Sequence, residues 1–264
     1  MAVKRIHPQN AQALFAGWEE TMIFSCLEGR MGEIYADRET DPSGAAALLG
    51  DFGFFAGRPS EELLRAAVAR RTVILVPQNR EWLRTMDAVL GTQATRAERY
   101  AIRKEPDVFD RALLLRAVRS LPAGYAIHPI GEALYWRCLS QPWSRDLVAQ
   151  YRDAAAYARK GLGFAVLREG QLVAGASSYS SYSAGIEIEI DTRADSRRRG
   201  LAYACGAALI LACLDRGLYP SWDAANLPSV ALAEKLGYHR GDPYPVFLLE
   251  KALEGKRPWR EGTS

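Results

Sequence analysis

Residues 186–191 read Ile-Glu-Ile-Glu-Ile-Asp, a strict alternation of aliphatic and acidic side chains. A period of two predicts a strand with Ile186, Ile188 and Ile190 on one face and Glu187, Glu189 and Asp191 on the other. Carboxylates sharing a strand face repel one another. On a solvated face that repulsion carries no chemistry. In a cleft, each neighbour raises the pKa of the others, which makes a general base usable near neutral pH.

The next stretch is Arg197-Arg198-Arg199-Gly200-Leu201-Ala202, followed by an apolar run through Cys213. That run is apolar on nearly every side of a helix, so it predicts a helix buried against a sheet. Its first turn offers free N–H groups and the positive end of the helix dipole. Gly200 and Ala202 let a ligand approach the backbone, and the arginines add cationic charge. An arginine run alone reads most simply as a solvated loop. Its place before a buried helix favours a cradle for a pyrophosphate.

A second strand is expected at 219–224 and a second helix at 226–238, with Pro228 in its first turn and Gly237 as its stop. Asn226 stands at the N-cap, where its side chain caps the helix and is also able to bond a ligand laid beside the strand.

The whole chain sets the limits for these groups. Its 264 residues allow one large domain or two small ones, at about 100–200 residues per domain. Hydrophobic content of 48% and charged content of 25% are ordinary for a globular protein with a proper core. A net charge of +3 is too balanced for a nucleic-acid binder. The cysteines, Cys26, Cys138, Cys205 and Cys213, form no C-x-x-C pair and read as free core thiols of a reducing compartment. His128 and His239 lack partners at ligand spacing, and no metal site is expected. The N-terminus shows no secretory signal and no window is long and apolar enough to span a membrane, so a cytoplasmic protein without membrane or nucleic-acid partners is expected.

The N-terminal half alternates helices and strands. Residues 10–27 predict one amphipathic helix, 31–37 and 50–57 strands, 41–44 a loop able to start a short helix, 60–71 a helix capped by Ser60, 72–77 a buried strand, and 79–90 a helix capped by Asn79. Asp37 and Asp51 read as turn or surface acids. A strand at 95–103, a helix at 109–119, a strand from Tyr125 and helices at 132–139 and 145–159 follow. Residues 163–180 predict a β-hairpin turning at Glu169-Gly170. The domain boundary is placed within 91–125, giving units 1–124 and 125–264. The tail from Gly255 is expected to fray.

The segment from Gly185 to Tyr238 resembles the GNAT N-acetyltransferase superfamily. The likeness rests on R-x-x-G-x-A at Arg197, Gly200 and Ala202 after a strand ending I-E-I-D, on N-x-x-S at Asn226 and Ser229, and on K-L-G-Y at Lys235 to Tyr238. The longer pattern is similar to a bacterial subfamily that includes zwittermicin-type antibiotic-resistance acetyltransferases. The specific motifs cover 185–238 and the fold resemblance 125–250.

The resemblance implies an α/β (α+β) fold with a mixed, mostly antiparallel central sheet flanked by helices. The N-terminal unit would be a degenerate GNAT-like half that shapes the acceptor side. It also implies N-acetyl transfer from acetyl-CoA to a small-molecule amine by direct attack, in a monomer or homodimer. Acetyl-CoA would lie where strands 186–191 and 219–224 splay. Backbone of Ile188 and Ile190 would pair with the pantetheine arm, amides from Arg198 through Leu201 to Ala202 would hold the pyrophosphate with Arg197 and Arg199, and Asn226 and Ser229 would flank the thiol end. Glu187 or Glu189 would take the amine proton, with Tyr179, Tyr182 and Asp191 on the acceptor side.

One position departs from the family. Many members carry a tyrosine seven residues after the asparagine, to protonate the leaving thiolate; here it is Ala233. Tyr238, Tyr179 or Tyr182 would then serve, or none is needed. A chain that has lost catalysis and only binds acyl-CoA is the alternative.

Overall fold

The computed structural model describes residues 3–70 and 72–249. They form two compact units, one running to Glu98 and resuming at Tyr244, the other Arg99–Pro243. The sequence boundary at 124/125 falls later than this. Helix Arg111–Arg119 packs on the buried helix of the second unit, and the strand after Pro243 pairs in the first. Neither contact leaves a trace in composition.

In the first unit, β1 (Lys4–Arg5), β2 (Glu33–Ala36), β3 (Gly44–Leu49) and β4 (Phe52–Gly57) are successive antiparallel neighbours. Helix α1 (Thr21–Leu27) lies on β3, and α2 (Glu61–Val68) carries the chain to β5 (Ile74–Pro77), parallel to β4. Helix α3 (Arg80–Leu90) follows. Ser60 and Asn79 cap α2 and α3 as expected, accepting from the amides of Leu63 and Trp82. The core gathers Phe55, Leu63, Leu64, Leu75, Trp82, Met86 and Phe247.

Two elements differ from the sequence reading. The helix expected over 10–27 is a 3-10 run Pro8–Phe15, then α1, separated at Gly17, whose φ is 76°. Both halves bury one side, so the apolar period continues across a backbone break. Gly44, expected in the 41–44 loop, opens the fully buried strand Gly44–Leu49, whose residues 45–49 carried no expected element. Its alanines and leucines favour helix locally, and pairing on both edges overrides them. Asp37 is a structural turn acid: its carboxylate accepts from the Ser43 amide at 3.0 Å and from the Ser43 hydroxyl.

The second unit takes up β6 (Ala94–Ile102) at Arg99, then α4 (Arg111–Arg119), β7 (Tyr125–Pro129), α5 (Glu132–Ser140), α6 (Ala154–Lys160), β8 (Gly163–Arg168), β9 (Gln171–Tyr182), β10 (Gly185–Thr192), α7 (Leu201–Leu214), β11 (Tyr219–Ser221), β12 (Asp223–Ala224) and α8 (Leu227–Lys235). The last strand, β13 (Arg240–Leu249), leads back to the first unit, where Phe247 pairs with Leu75. Strands β7 to β10 form an antiparallel meander and β11 joins β10 in parallel, in the order β11-β10-β9-β8-β7. Helix α7 lies across this sheet with α4 on its other side, which is why it is apolar all round. The helix expected over 145–159 is a 3-10 turn Arg145–Leu147 and then α6, capped by Asp153. Leu147, Val148 and Tyr151 are buried from an irregular segment and mimic a helical period.

This is the expected mixed α/β fold, with mainly antiparallel sheets flanked by helices. No helix among the described residues is long and apolar enough to cross a membrane.

Candidate functional site

The site is built on a fork. Strands β10 and β11 pair at Gly185–Tyr219, Ile186–Pro220 and Glu187–Ser221, and there the pairing ends. The chain turns away through Trp222, and Asp223 and Ala224 pair instead with Ala101 and Tyr100 of β6. Residues 188–192 keep their β9 partners, while no described strand takes their other edge. The two strands therefore splay as expected, leaving main-chain groups of β10 able to bond an extended ligand.

Several contacts hold the fork open. Gly185 must be glycine, because a Cβ there would stand 2.2 Å from the Tyr219 carbonyl oxygen. Tyr238 donates its hydroxyl to the Pro220 carbonyl at 2.6 Å. The indole of Trp222 donates to Ser229 Oγ at 3.1 Å. Arg99 Nε donates to Asp223 Oδ1 at 2.5 Å, within an ion pair whose side chains are 11% and 3% exposed.

The isoleucines of β10 enter the core under α7, and Glu187 is buried at 3% exposure, with Glu189 and Asp191 half-buried. The register shifts between Glu187 and Ile188, where Ser180 and Ser178 are the successive partners, so Tyr179 is an extra residue on β9. A bulge at this point adds local twist where the strands part. Tyr179 is itself buried, and the Tyr182 hydroxyl lies over Gly185.

Around the last pair the fold gathers further polar groups beside Glu187. Ser180, Glu187 and Ser221 lie in register across β9, β10 and β11. Lys104 Nζ donates to Ser221 Oγ at 2.7 Å. Tyr219 accepts from the Glu105 amide and donates to the Arg103 carbonyl, both at 3.1 Å. Burial pushes its hydroxyl pKa up, against a downward pull from the Glu105 contact and from Lys104. Burial pushes Tyr238 well above the ordinary tyrosine range.

The loop before α7 has its own backbone signature. Arg198 and Gly200 have φ of 59° and 74°, and Gly200 is the helix N-cap without a side-chain cap, leaving the first amides of α7 to other partners. A Cβ at Gly200 would meet nothing within 4 Å, so glycine serves the left-handed backbone rather than a crowded contact. Arg197 bonds the Thr192 carbonyl, and Arg199 reaches the Tyr125 hydroxyl and the Asp195 carbonyl. These two arginines shape the loop, and Arg198 is exposed beside them. The Leu201 side chain is in the core, so only its backbone is available at the helix start.

Asn226 caps α8, its Oδ1 accepting from the Ser229 amide at 2.9 Å. Ala233 is fully buried in the cluster with Val230, Leu236 and α7 residues and presents nothing to the fork. His239 is a surface residue bonded to Glu105, and the cysteines are free and buried. No cluster of metal-ligand side chains occurs among the described residues.

The profile of the GNAT acetyltransferase family matches residues 12–247, and the chain belongs to that family. It is similar to the uncharacterized N-acetyltransferase YdfB of Bacillus subtilis (strain 168), 27% identical over 245 residues that cover 86% of this chain and 89% of the relative. Among solved structures it is similar to a GCN5-related N-acetyltransferase-like protein from Streptococcus suis 89/1591, at 48% identity and a TM-score of 0.89 over 92% of this chain and 98% of that one. A GCN5-related N-acetyltransferase from Kribbella flavida shares the fold at 15% identity and a TM-score of 0.50, over 78% of this chain and 86% of that one.

Proposed function

We propose that this chain transfers an acetyl group from acetyl-CoA to the amine of a small molecule. The observation that carries the reading is the fork after Glu187–Ser221, opening beside the uncapped start of α7.

The residues present fit acetyl-CoA. The unpaired edge at Ile188 and Ile190 suits an extended amide-bearing arm. The amides from Arg198 to Ala202, with the dipole of α7, suit a pyrophosphate, and Arg197 and Arg199 keep that loop in shape. Asn226 Nδ2 and the Ser229 hydroxyl stand at the start of α8, available to flank the arm. When bound, acetyl-CoA supplies an activated acetyl thioester.

The chain supplies orientation and proton transfer. Glu187, buried at the fork, takes the amine proton, and Glu189 is the second candidate two residues along the same face. Glu187, Glu189 and Asp191, with Tyr179 and Tyr182, favour a cationic amine acceptor. The likeness of 185–238 to zwittermicin-type resistance acetyltransferases points the same way, to a small amine-bearing molecule. The first unit is assigned to shaping the acceptor side, and the cytoplasm, where acetyl-CoA is made and used, is the place of action.

The test is incubation of the protein with acetyl-CoA and a panel of amines, amino acids and aminoglycosides, read by mass. The expected result is an amine one acetyl group heavier together with free CoA. A non-catalytic acyl-CoA sensor is the second reading, favoured by Ala233. It predicts tight acetyl-CoA binding with no amine modified.

A further inference from the structure

We propose that Ser221, backed by Lys104, returns the proton to the departing thiolate. The inference rests on the acetyl-transfer reading above and supplies the group that Ala233 cannot provide.

Ser180, Glu187 and Ser221 are in register on adjacent strands, so their side chains share one face. All three are buried, at 0%, 3% and 0% exposure. Ser180 Oγ has no hydrogen-bond partner among the described residues. Leaving such a hydroxyl buried and unsatisfied is costly, and a fold that retains one calls for a functional explanation. Glu187–Ser221 is the last pair before the strands part, so Ser221 stands where the reacting end of an arm laid along β10 would arrive.

The Lys104–Ser221 bond has a direction. The ammonium donates and the hydroxyl oxygen accepts, so the Ser221 O–H points elsewhere and its proton is available. Nearby hydroxyls are committed: Tyr238 donates to the Pro220 carbonyl and Tyr219 to the Arg103 carbonyl. Charged or titratable groups around the pair include Glu187 from β10, Tyr219 from β11, Tyr238 after α8, Arg103 and Glu105 on either side of Lys104, and His239 bonded to Glu105.

As the carbon–sulfur bond breaks, the thiolate takes the Ser221 hydroxyl proton, forming S–H. Ser221 takes a proton from the Lys104 ammonium in the same motion. Lys104 is left neutral and regains its proton from water. Ser221 is thus the catalytic acid, and Lys104 the positioning residue and proton source behind it.

Two measurements test this, each on Ser221→Ala, Lys104→Met and Lys104→Arg in the full chain. Turnover should fall about 100-fold in the first two, with KM for acetyl-CoA within about threefold, as for an interaction made in the transition state. Lys104→Arg, which keeps the cation, should recover most of the rate. Separately, bound CoA is titrated by thiolate ultraviolet absorbance, with no acceptor present. Loss of the hydrogen-bond donor or of the cation behind it should raise the pH of thiol deprotonation by about one unit. Variants that bind CoA with unchanged turnover and unchanged thiol titration overturn the inference while leaving the acetyl-transfer reading intact. Wild-type protein that binds no CoA overturns both.

Discussion

Arg99→Met removes one partner of the ion pair at the base of β12 and leaves the Asp223 carboxylate where its side chain is 3% exposed. Breaking a buried pair from one side typically costs about 3–5 kcal/mol, because the remaining buried charge loses its ion-pair partner. The exposed pair Arg65–Glu61, at 62% and 53%, is the internal control; Arg65→Ala should cost no more than about 0.5 kcal/mol. The double variant Arg99→Met/Asp223→Leu removes both charges and fills similar volume, so most of the loss should return. Urea unfolding at neutral pH measures wild type, Arg99→Met, Asp223→Leu, their double variant and Arg65→Ala, and the first four close the double-mutant cycle that isolates the coupling. The same variants address the fork. Asp223 is followed by Ala224 and then by Asn226, which caps α8, so a displaced strand end moves the groups assigned to the cofactor. Arg99→Met should therefore weaken acetyl-CoA binding beyond what its stability loss explains. A cost below about 1 kcal/mol, or a double variant no more stable than the single, would refute the role given to this pair.

Further outcomes are expected. Glu187→Gln should lower turnover by about 100-fold or more with little change in acetyl-CoA affinity by calorimetry, and Glu189→Gln should lower it less; the reverse order would reassign the base. Gly200→Trp should abolish acetyl-CoA binding by covering the start of α7, whereas Gly200→Ala meets no atom and should cost only the strain of a left-handed residue, about 1–2 kcal/mol. Burial pushes Cys26, Cys138, Cys205 and Cys213 up to about 12 from 9.0. The unfolded chain then releases those protons first, so stability falls as pH rises from about 9 towards 12, by up to about 1.4 kcal/mol per thiol per pH unit. Denaturation midpoints should decline over that window, and a variant with all four cysteines replaced by alanine should decline less.

The segment that carries the site was the easiest to read, and for a physical reason. The isoleucine–acid alternation of β10, the apolar roundness of α7 and the capping Asn226 are local consequences of a strand against a helix, and local patterns survive in sequence. Groups that meet only through the fold were silent. Lys104 and Ser221 are separated by 117 positions, and Arg99 and Asp223 by 124. The strand Gly44–Leu49 left no sequence signal beyond the loop expected at 41–44, because its helix-favouring residues become a strand only when both neighbours pair with it. The units part at 98/99, inside the expected 91–125 range, and that α4 belongs to the second unit rather than lying before a break at 124/125 is visible only through its packing on α7.

Ala233 joins these threads. It lies fully buried between Val230 and Leu236 in the cluster that packs α8 with α7. A tyrosine there would need space that the cluster does not contain, and overpacking of this kind typically costs about 1–3 kcal/mol, often more for an aromatic ring. Ala233→Tyr should therefore lower the unfolding midpoint and leave turnover unimproved, because its hydroxyl would be forced into the core or would push α8 off the sheet. The donor proposed above stands on the strand side of the fork, where Ser221 sits with Lys104 behind it. A Ala233→Tyr protein as stable as the parent and faster than it would show that α8 retains room for a donor. It would also remove the reason for seeking one on β11.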